Sequence, residues 1–283
     1  KLSRHEESRQ VFLPNGRAPE VGEVFRNPKL AGAYRLVAEK GADAFYRGPI
    51  RDAILSTSRK LGGSLAADDF TEFLPEWVET IQTTYRGWTI HELPPNGQGV
   101  PALEMLNIME GFPFQSMDWS GSEALHLKIE AQKLAYQDLK KYIADPRHAK
   151  LPMPGLLSKD YARERARLIS REKASATTEA GDPWKHAGDT IYLSVVDRDG
   201  NIVSLIQSIY LGFGSAIPVE GMGFHLHNRG GLFEFDPSHP NALAPRKRPL
   251  HTIIPGFMEK GPLHIGFGIM GGFNQAQAHA QFV

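Results

Sequence analysis

Cysteine is absent from the 283 residues, which excludes disulfides, iron–sulfur clusters, thiolate zinc sites and a cysteine nucleophile together. An excess of one charge is missing as well. Lys and Arg number 32 against 32 Asp and Glu, a formal net charge of +0. Binding to many phosphates requires a cationic excess, so neither a nucleic-acid surface nor an anionic-membrane surface is expected. No apolar run reaches the ~18 residues of a bilayer span. The opening Lys1-Leu2-Ser3-Arg4-His5-Glu6-Glu7 reads as neither a signal peptide nor a transit peptide. The address, periplasmic or secreted as against cytoplasmic, is therefore left open. What is present, 41% hydrophobic and 23% charged residues, describes a globular chain long enough to build its core without a staple.

The first two thirds of the chain reads as mostly helical. Pro28 opens a pattern of Leu30, Ala33, Tyr34, Val37 and Ala38 that Gly41 ends, and a second helix covers Ile50 to Leu61. Trp77–Thr84 and Trp88–Leu93, joined by Tyr85-Arg86-Gly87, have the aromatic and β-branched content of a hairpin. Pro94-Pro95-Asn96-Gly97-Gln98-Gly99 forms a turn that opens a helix from Ala102 to Met109. The longest helix runs from about Glu123 to Ala144. Its stripe Leu127, Ala131, Leu134, Ala135 and its neighbouring stripe Leu125, Ile129, Tyr136, Leu139 imply packing between two layers. A charged helix from Ser158 to Ile169 leads into a polar, aperiodic linker from Ser170 to Lys185.

Strands then take over. Thr190–Val196 and Ile202–Ser208 flank the turn dipeptide Asp199-Gly200. Further strands are expected at Met222–Leu226, Thr252–Met258 and Leu263–Ile269, with a proline-rich loop over 229–250 and a short helix from Asn274 to Phe282. Helices first and strands afterwards define an α+β layered fold, with the change of texture at Asp189-Thr190.

Several familiar motifs fail on inspection. Asp197-Arg198-Asp199-Gly200-Asn201 begins like a calcium loop, but its glycine comes too early and Ser208 stands where the bidentate Glu belongs. It reads as a turn. Arg246-Lys247-Arg248 is a short basic run in a neutral chain and reads as a loop. His225 and His227 share a strand face without a third ligand at fitting spacing, so no metal and no organic cofactor is assigned. No G-x-S-x-G elbow and no H-E-x-x-H helix occurs.

A less common constellation is left. Thr190 follows Gly188-Asp189 at the mouth of a strand, Ser208 ends the adjacent strand, and Gly271-Gly272 precedes the final helix. Their plain reading is a strand threonine, a hairpin serine and a glycine turn. The chemical alternative follows from cutting the chain before Thr190. The new terminus would carry a hydroxyl beside an α-amine titrating near ~8, which can act as a base at neutral pH. Nucleophile and base would then belong to one residue. The backbone N–H groups of Gly271 and Gly272 could stabilise an oxyanion, since glycine lets backbone approach a ligand closely.

At these residues the sequence resembles the gamma-glutamyltranspeptidase family of N-terminal-nucleophile (Ntn) hydrolases. Phe12-Leu13-Pro14, Gly22–Pro28, Asp43–Gly48 and Glu92–Gly99 resemble the end of that family's large subunit. Gly188-Asp189-Thr190, Ser194–Asp197 with Asp199-Gly200-Asn201, Lys247–Leu250 and Met270-Gly271-Gly272 resemble its small subunit. The resemblance implies a four-layer αββα sandwich, represented here by an interior part truncated at both ends. It implies residues 1–189 as the end of a large subunit and 190–283 as the start of a small one, with self-cleavage between Asp189 and Thr190. Thr190, Ser208, Gly271 and Gly272 would be catalytic, while Arg229, His251, Thr252 and Tyr210 would contact substrate. The partners implied are a γ-glutamyl amide such as glutathione, a water or amine acceptor, and the cleaved subunit itself. There are departures. Arg229 stands where a Gln is usual, Leu232 where an Asp holds the substrate α-amine, and His251-Thr252 replaces two serines. Ile191 and Ile209 also differ. These changes resemble the cephalosporin-acylase-like branch, so a glutaryl-type amide acylase and a non-catalytic relic stand as alternatives.

Overall fold

The computed structural model describes residues 1–176 and 188–283. Its contacts divide into two compact units, Lys1–Trp77 with Phe213–Asn228, and Val78–Gly212 with Arg229–Val283.

The first unit is helical: α1 (Glu6–Phe12), α2 (Pro28–Lys40), α3 (Asp43–Tyr46), α4 (Pro49–Lys60) and α5 (Asp68–Thr71). The second helix starts where the Asn27 side chain accepts from the Leu30 N–H at 3.0 Å, with Pro28 in the first turn. It stops at Gly41, whose φ of 63° suits only glycine without strain. Ala33, Ala44, Ile50, Ile54 and Val219 form the core. The expected strand Met222–Leu226 is not formed. Gly221 and Gly223 take φ values of 77° and 71°, which break the extended run and leave a single bridge between Pro218 and His225. His225 hydrogen-bonds the buried Ser8 hydroxyl at 2.8 Å and stacks on Phe12.

In the second unit the elements are β1 (Ile81–Tyr85), β2 (Trp88–Glu92), α6 (Gly99–Met109), α7 (Ser122–Tyr142), α8 (Met153–Leu156), α9 (Lys159–Ala166), β3 (Gly188–Val196), β4 (Ile202–Leu211), β5 (Gly256–Lys260), β6 (Leu263–Phe267) and α10 (Asn274–Phe282). An antiparallel sheet runs β1-β2-β5-β6, and β3-β4 is a separate hairpin. Register places Thr83, Ile90, Met258 and Ile265 on one sheet face. That face meets the helices: Thr83 Oγ1 donates to Asn107 of α6 at 2.6 Å, and the core joins Ile90, Met258 and Phe267 to Leu103, Leu106, Leu127 and Ala276.

The hairpin lies on the other face. Ser204 Oγ contacts the carbonyls of Gly256 and Phe267 at 3.0 and 3.2 Å, and Tyr192 hydroxyl contacts Ser204 Oγ at 2.8 Å. The approach depends on glycine. A β-carbon at Gly268 would sit 2.3 Å from the Tyr192 ring, and one at Gly266 would sit 2.8 Å from Ile202. Helices, sheet and hairpin thus make three layers in sequence. The hairpin's outer face, with Ile191, Leu193, Val195, Val203 and Leu205, is exposed, and neither sheet is closed.

Three sequence expectations change in detail. The hairpin's first strand begins at Ile81 rather than Trp77, because β2 ends at Glu92 and the following Pro94-Pro95 offers no N–H to pair. The strand expected from Thr252 begins only at Gly256. Ahead of it Thr252 O accepts from Gln98 and Ile254 N donates to Gln275, so side-chain amides occupy the groups a ladder would use. The helix packed between layers is α6, all of whose residues are buried, and not α7. On α7 Leu127, Ala131 and Ala135 of the first stripe are buried, and so are Tyr136 and Leu139 of the second, but Leu125 and Ile129 of that second stripe are 44% and 49% exposed. The polar linker expected from Ser170 to Lys185 lies in part, at 177–185, outside the described residues.

Candidate active site

The β3–β4 hairpin brings the two hydroxyls together. Thr190 Oγ1 donates to Ser208 Oγ at 3.1 Å, and the Tyr210 N–H donates to the same oxygen at 2.8 Å. Thr190 pairs with Ser208 while Asp189 pairs with Tyr210, so Ile209 has no opposite residue and the ladder bulges at the Asp189–Thr190 bond. Bulges of this kind redirect side chains. Tyr210 has a φ of 78°, a left-handed conformation costing a tyrosine roughly 1–2 kcal/mol. Its ring is buried, which raises the phenol pKa.

From Tyr210 the contacts lead on to a buried cation. The Arg229 guanidinium lies 5.4 Å from the Tyr210 ring centre and donates to Thr252 Oγ1 at 3.2 Å. Burial lowers its pKa, but an arginine starts high enough to stay charged. His251, next in chain to Thr252, packs tightly over Gly97, where a β-carbon would lie 2.9 Å from the imidazole. Burial, and then the charges of Arg229 and Arg248, lower its pKa to about 4, so the ring is neutral near pH 7. Its Nδ1 is out of reach of solvent.

Gly271 and Gly272, with φ values of 116° and 61°, precede α10. Their carbonyls accept from Asn274 and Gln275 N–H in the helix's first turn. Among the described residues neither glycine N–H donates to another backbone group. The space a β-carbon of Gly272 would occupy is open.

The residues expected from sequence therefore fall into linked contacts: Thr190 with Ser208, Ser208 with Tyr210, Tyr210 with Arg229, Arg229 with Thr252. Gly272 joins through Gln98, whose amide reaches both Thr252 and Gly272. Nothing in the sequence singles out Gln98, which there is one member of a turn. Of these side chains Arg229 alone is charged at neutral pH. Leu232 adds no carboxylate, and its carbonyl accepts from Asn241. The Asp197–Asn201 stretch is a turn, as expected, with Asp197 Oδ1 accepting from the Asp199 and Asn201 N–H groups. Lys247 of the basic run donates to the Pro240 carbonyl. No cluster of three metal-ligating side chains occurs among the described residues, and none of their helices is long and apolar enough to cross a membrane.

Layered helices and sheet with the β3–β4 hairpin on the far face belong to the Ntn-hydrolase class of mixed α and β fold. The gamma-glutamyltranspeptidase family model matches residues 1–283, and the chain belongs to that family. The crystal structure of a cephalosporin acylase from Bacillus halodurans aligns with a TM-score of 0.87 and 46% identity, over 96% of this chain and 49% of that one. The glutathione hydrolase-like YwrD proenzyme of Bacillus subtilis (strain 168) is 37% identical over 96% of this chain and 51% of its own length. The oxamate amidohydrolase proenzyme of Klebsiella pneumoniae is 34% identical over 96% of this chain and 50% of its own. The chain thus spans about half the length of the curated relatives it matches.

Proposed function

We propose that this chain carries the reaction centre of an amide-cleaving Ntn hydrolase whose nucleophile is Thr190. The observation that carries the reading is the Thr190–Ser208 hydrogen bond at the bulged Asp189–Thr190 peptide. In maturation Thr190 Oγ1 attacks the Asp189 carbonyl. The C–N bond breaks, an ester forms, and the hydroxyl proton passes to the new amine. Water then hydrolyses the ester, leaving an Asp189 carboxyl terminus and a free Thr190 α-amine. The parts, ending at 189 and starting at 190, would stay associated as subunits.

In turnover the amine accepts the Thr190 hydroxyl proton as oxygen attacks a substrate amide. The Gly271 and Gly272 N–H groups are suited to the oxyanion. The substrate's amine leaves with that proton, handed on by the Thr190 α-ammonium, and water or an acceptor amine takes the acyl group. Family membership and a relative named as a glutathione hydrolase-like proenzyme support γ-glutamyl transfer or hydrolysis. The test is mass spectrometry of the full chain. Cleavage between Asp189 and Thr190 that Thr190→Ala abolishes supports the reading. A wild-type chain that stays whole and inactive opposes it and favours the non-catalytic relic.

A second reading rests on the site's charge. A γ-glutamyl group carries an α-ammonium, yet among the described residues the linked side chains offer the Arg229 cation and no carboxylate, with a neutral His251 next in chain to Thr252. A guanidinium favours an acyl group ending in a carboxylate, and the similarity to a cephalosporin acylase agrees with that. Relative kcat/KM on γ-glutamyl and glutaryl anilides separates the two readings.

A further inference from the structure

We propose that Gln98 is a positioning residue that holds the Gly271-Gly272 loop in register with Thr252. This builds on the Thr190 reading and adds a residue that it does not use. Gln98 is fully buried at the N-terminal edge of α6. Its Nε2 donates to Thr252 O at 2.5 Å and to Gly272 O at 2.8 Å. An amide has two N–H donors, and both are used, so a flipped amide would set Oε1 against two carbonyl oxygens. One orientation is thereby fixed.

The two acceptors sit in segments with little regular structure of their own. Thr252 precedes β5, in a stretch whose backbone groups pair with side chains rather than a strand. Gly272 belongs to a pair of glycines in positive φ, where no β-carbon limits rotation. The restraint that those glycines lack comes from outside, from the Gln98 amide on one carbonyl and the Gln275 N–H on the same carbonyl at 3.2 Å. Rotation about Gly272 would turn the adjacent amide away from any oxyanion, and a displacement of 1 Å can lower a rate about a hundredfold. Gln98 also lies on the other side of the Asp189–Thr190 bond from both acceptors. After cleavage it would be a noncovalent tie between the two chains at the reaction centre.

The test compares wild type with Gln98→Met, Gln98→Leu and Gln98→Glu in the full chain. Hydrogen exchange followed by mass spectrometry reads residues 250–254 and 268–275, with 81–92 in β1–β2 as the internal control. Faster exchange in the first two segments alone is expected in Gln98→Met and Gln98→Leu, along with kcat about tenfold to a hundredfold lower and KM within twofold. Gln98→Glu should recover part of its activity relative to wild type as pH falls, because a protonated carboxyl can donate to one of the carbonyls. Unchanged exchange at 268–275, or losses explained wholly by a smaller folded fraction, overturns the proposal. If one variant fails to fold, the remaining two decide. A wild type without activity counts against Thr190 as nucleophile, and the exchange comparison still decides the role of Gln98.

Discussion

Thr190 Oγ1 is 3.1 Å from Ser208 Oγ, and that serine oxygen also accepts the Tyr210 N–H at 2.8 Å. The serine oxygen therefore accepts from two donors, and the threonine hydroxyl is held with its proton directed across the hairpin at Ser208. An oxygen held this way retains its lone pairs for attack on a carbonyl. Loss of one such hydrogen bond is worth about 1 kcal/mol, or roughly fivefold to tenfold in a rate. Ser208→Ala should slow chain cleavage and kcat by about that factor, measured by gel densitometry over time and anilide hydrolysis. Thr190→Ala should leave the chain whole. A Ser208→Ala chain with wild-type rates in both assays would remove Ser208 from the mechanism.

Arg229 sets the second expectation. A charge-assisted hydrogen bond contributes about 1.5–3 kcal/mol. Arg229→Leu should reduce kcat/KM on a glutaryl anilide by roughly tenfold to a hundredfold, and on a γ-glutamyl anilide by less. Equal losses on both would mean that the guanidinium supports Thr252 and Tyr210 rather than choosing the acyl group.

The imidazole of His251 makes stability depend on pH. In the unfolded chain it takes up a proton near 6.5, whereas in the fold, between Arg229 and Arg248, it does so only at about 4. Across that window the unfolded state binds more protons, so stability falls as pH falls from 6.5 to 4. The difference corresponds to as much as about 3 kcal/mol. Urea unfolding at pH 7 and pH 4.5 should give a smaller difference in His251→Asn than in wild type. The same slope in both would assign the acid sensitivity elsewhere.

Glu104 acts in the opposite direction. This carboxyl is buried in α6 against Asp138 of α7. Burial, then contact with that second carboxyl, holds its pKa well above the usual range, with Arg165 opposing in part. Asp138 also accepts from Tyr161 and pairs with Arg165 at 3.1 Å. A proton on Glu104 turns two facing acceptors into a hydrogen bond. The folded state thus keeps a proton that the unfolded state loses above pH ~4.5, and stability declines as pH rises beyond that. Glu104→Gln supplies the donor permanently. It should flatten the decline and stabilise the protein near pH 8 by on the order of 1 kcal/mol, as read by urea melts at pH 5 and pH 8. A destabilised, still pH-dependent variant would contradict this account.

Much of the architecture was legible because local signals agreed with packing. Pro28 and Gly41 bracket α2, Asp199-Gly200 turns β3 into β4, and Asn274–Phe282 is the short helix expected after the glycine pair. Reading failed where side chains far off in sequence took over the backbone. Nothing around Thr252 announces that Gln98 takes up its carbonyl and Gln275 the Ile254 N–H, so the β-rich string predicts a strand that starts earlier than β5 does. On α7 the second apolar stripe could not be assigned to a partner from spacing, and Leu125 and Ile129 are exposed. In the candidate site Thr190, Ser208 and the glycine pair were readable as residue types at suggestive places. The hydrogen bond, the bulge at Ile209 and the Arg229–Thr252 contact depend on register and tertiary approach, which one sequence does not encode locally.

Gly266 and Gly268 form a floor beneath the strand that carries Thr190. Tyr192 rests on that floor, so the height of the whole β3 ribbon above the central sheet is set by two missing methyl groups. Replacing either glycine would act as a shim, tilting the hydroxyl at position 190 without touching any atom of the reaction centre. Adding one carbon at position 268 would require the tyrosine above it to move at the same time.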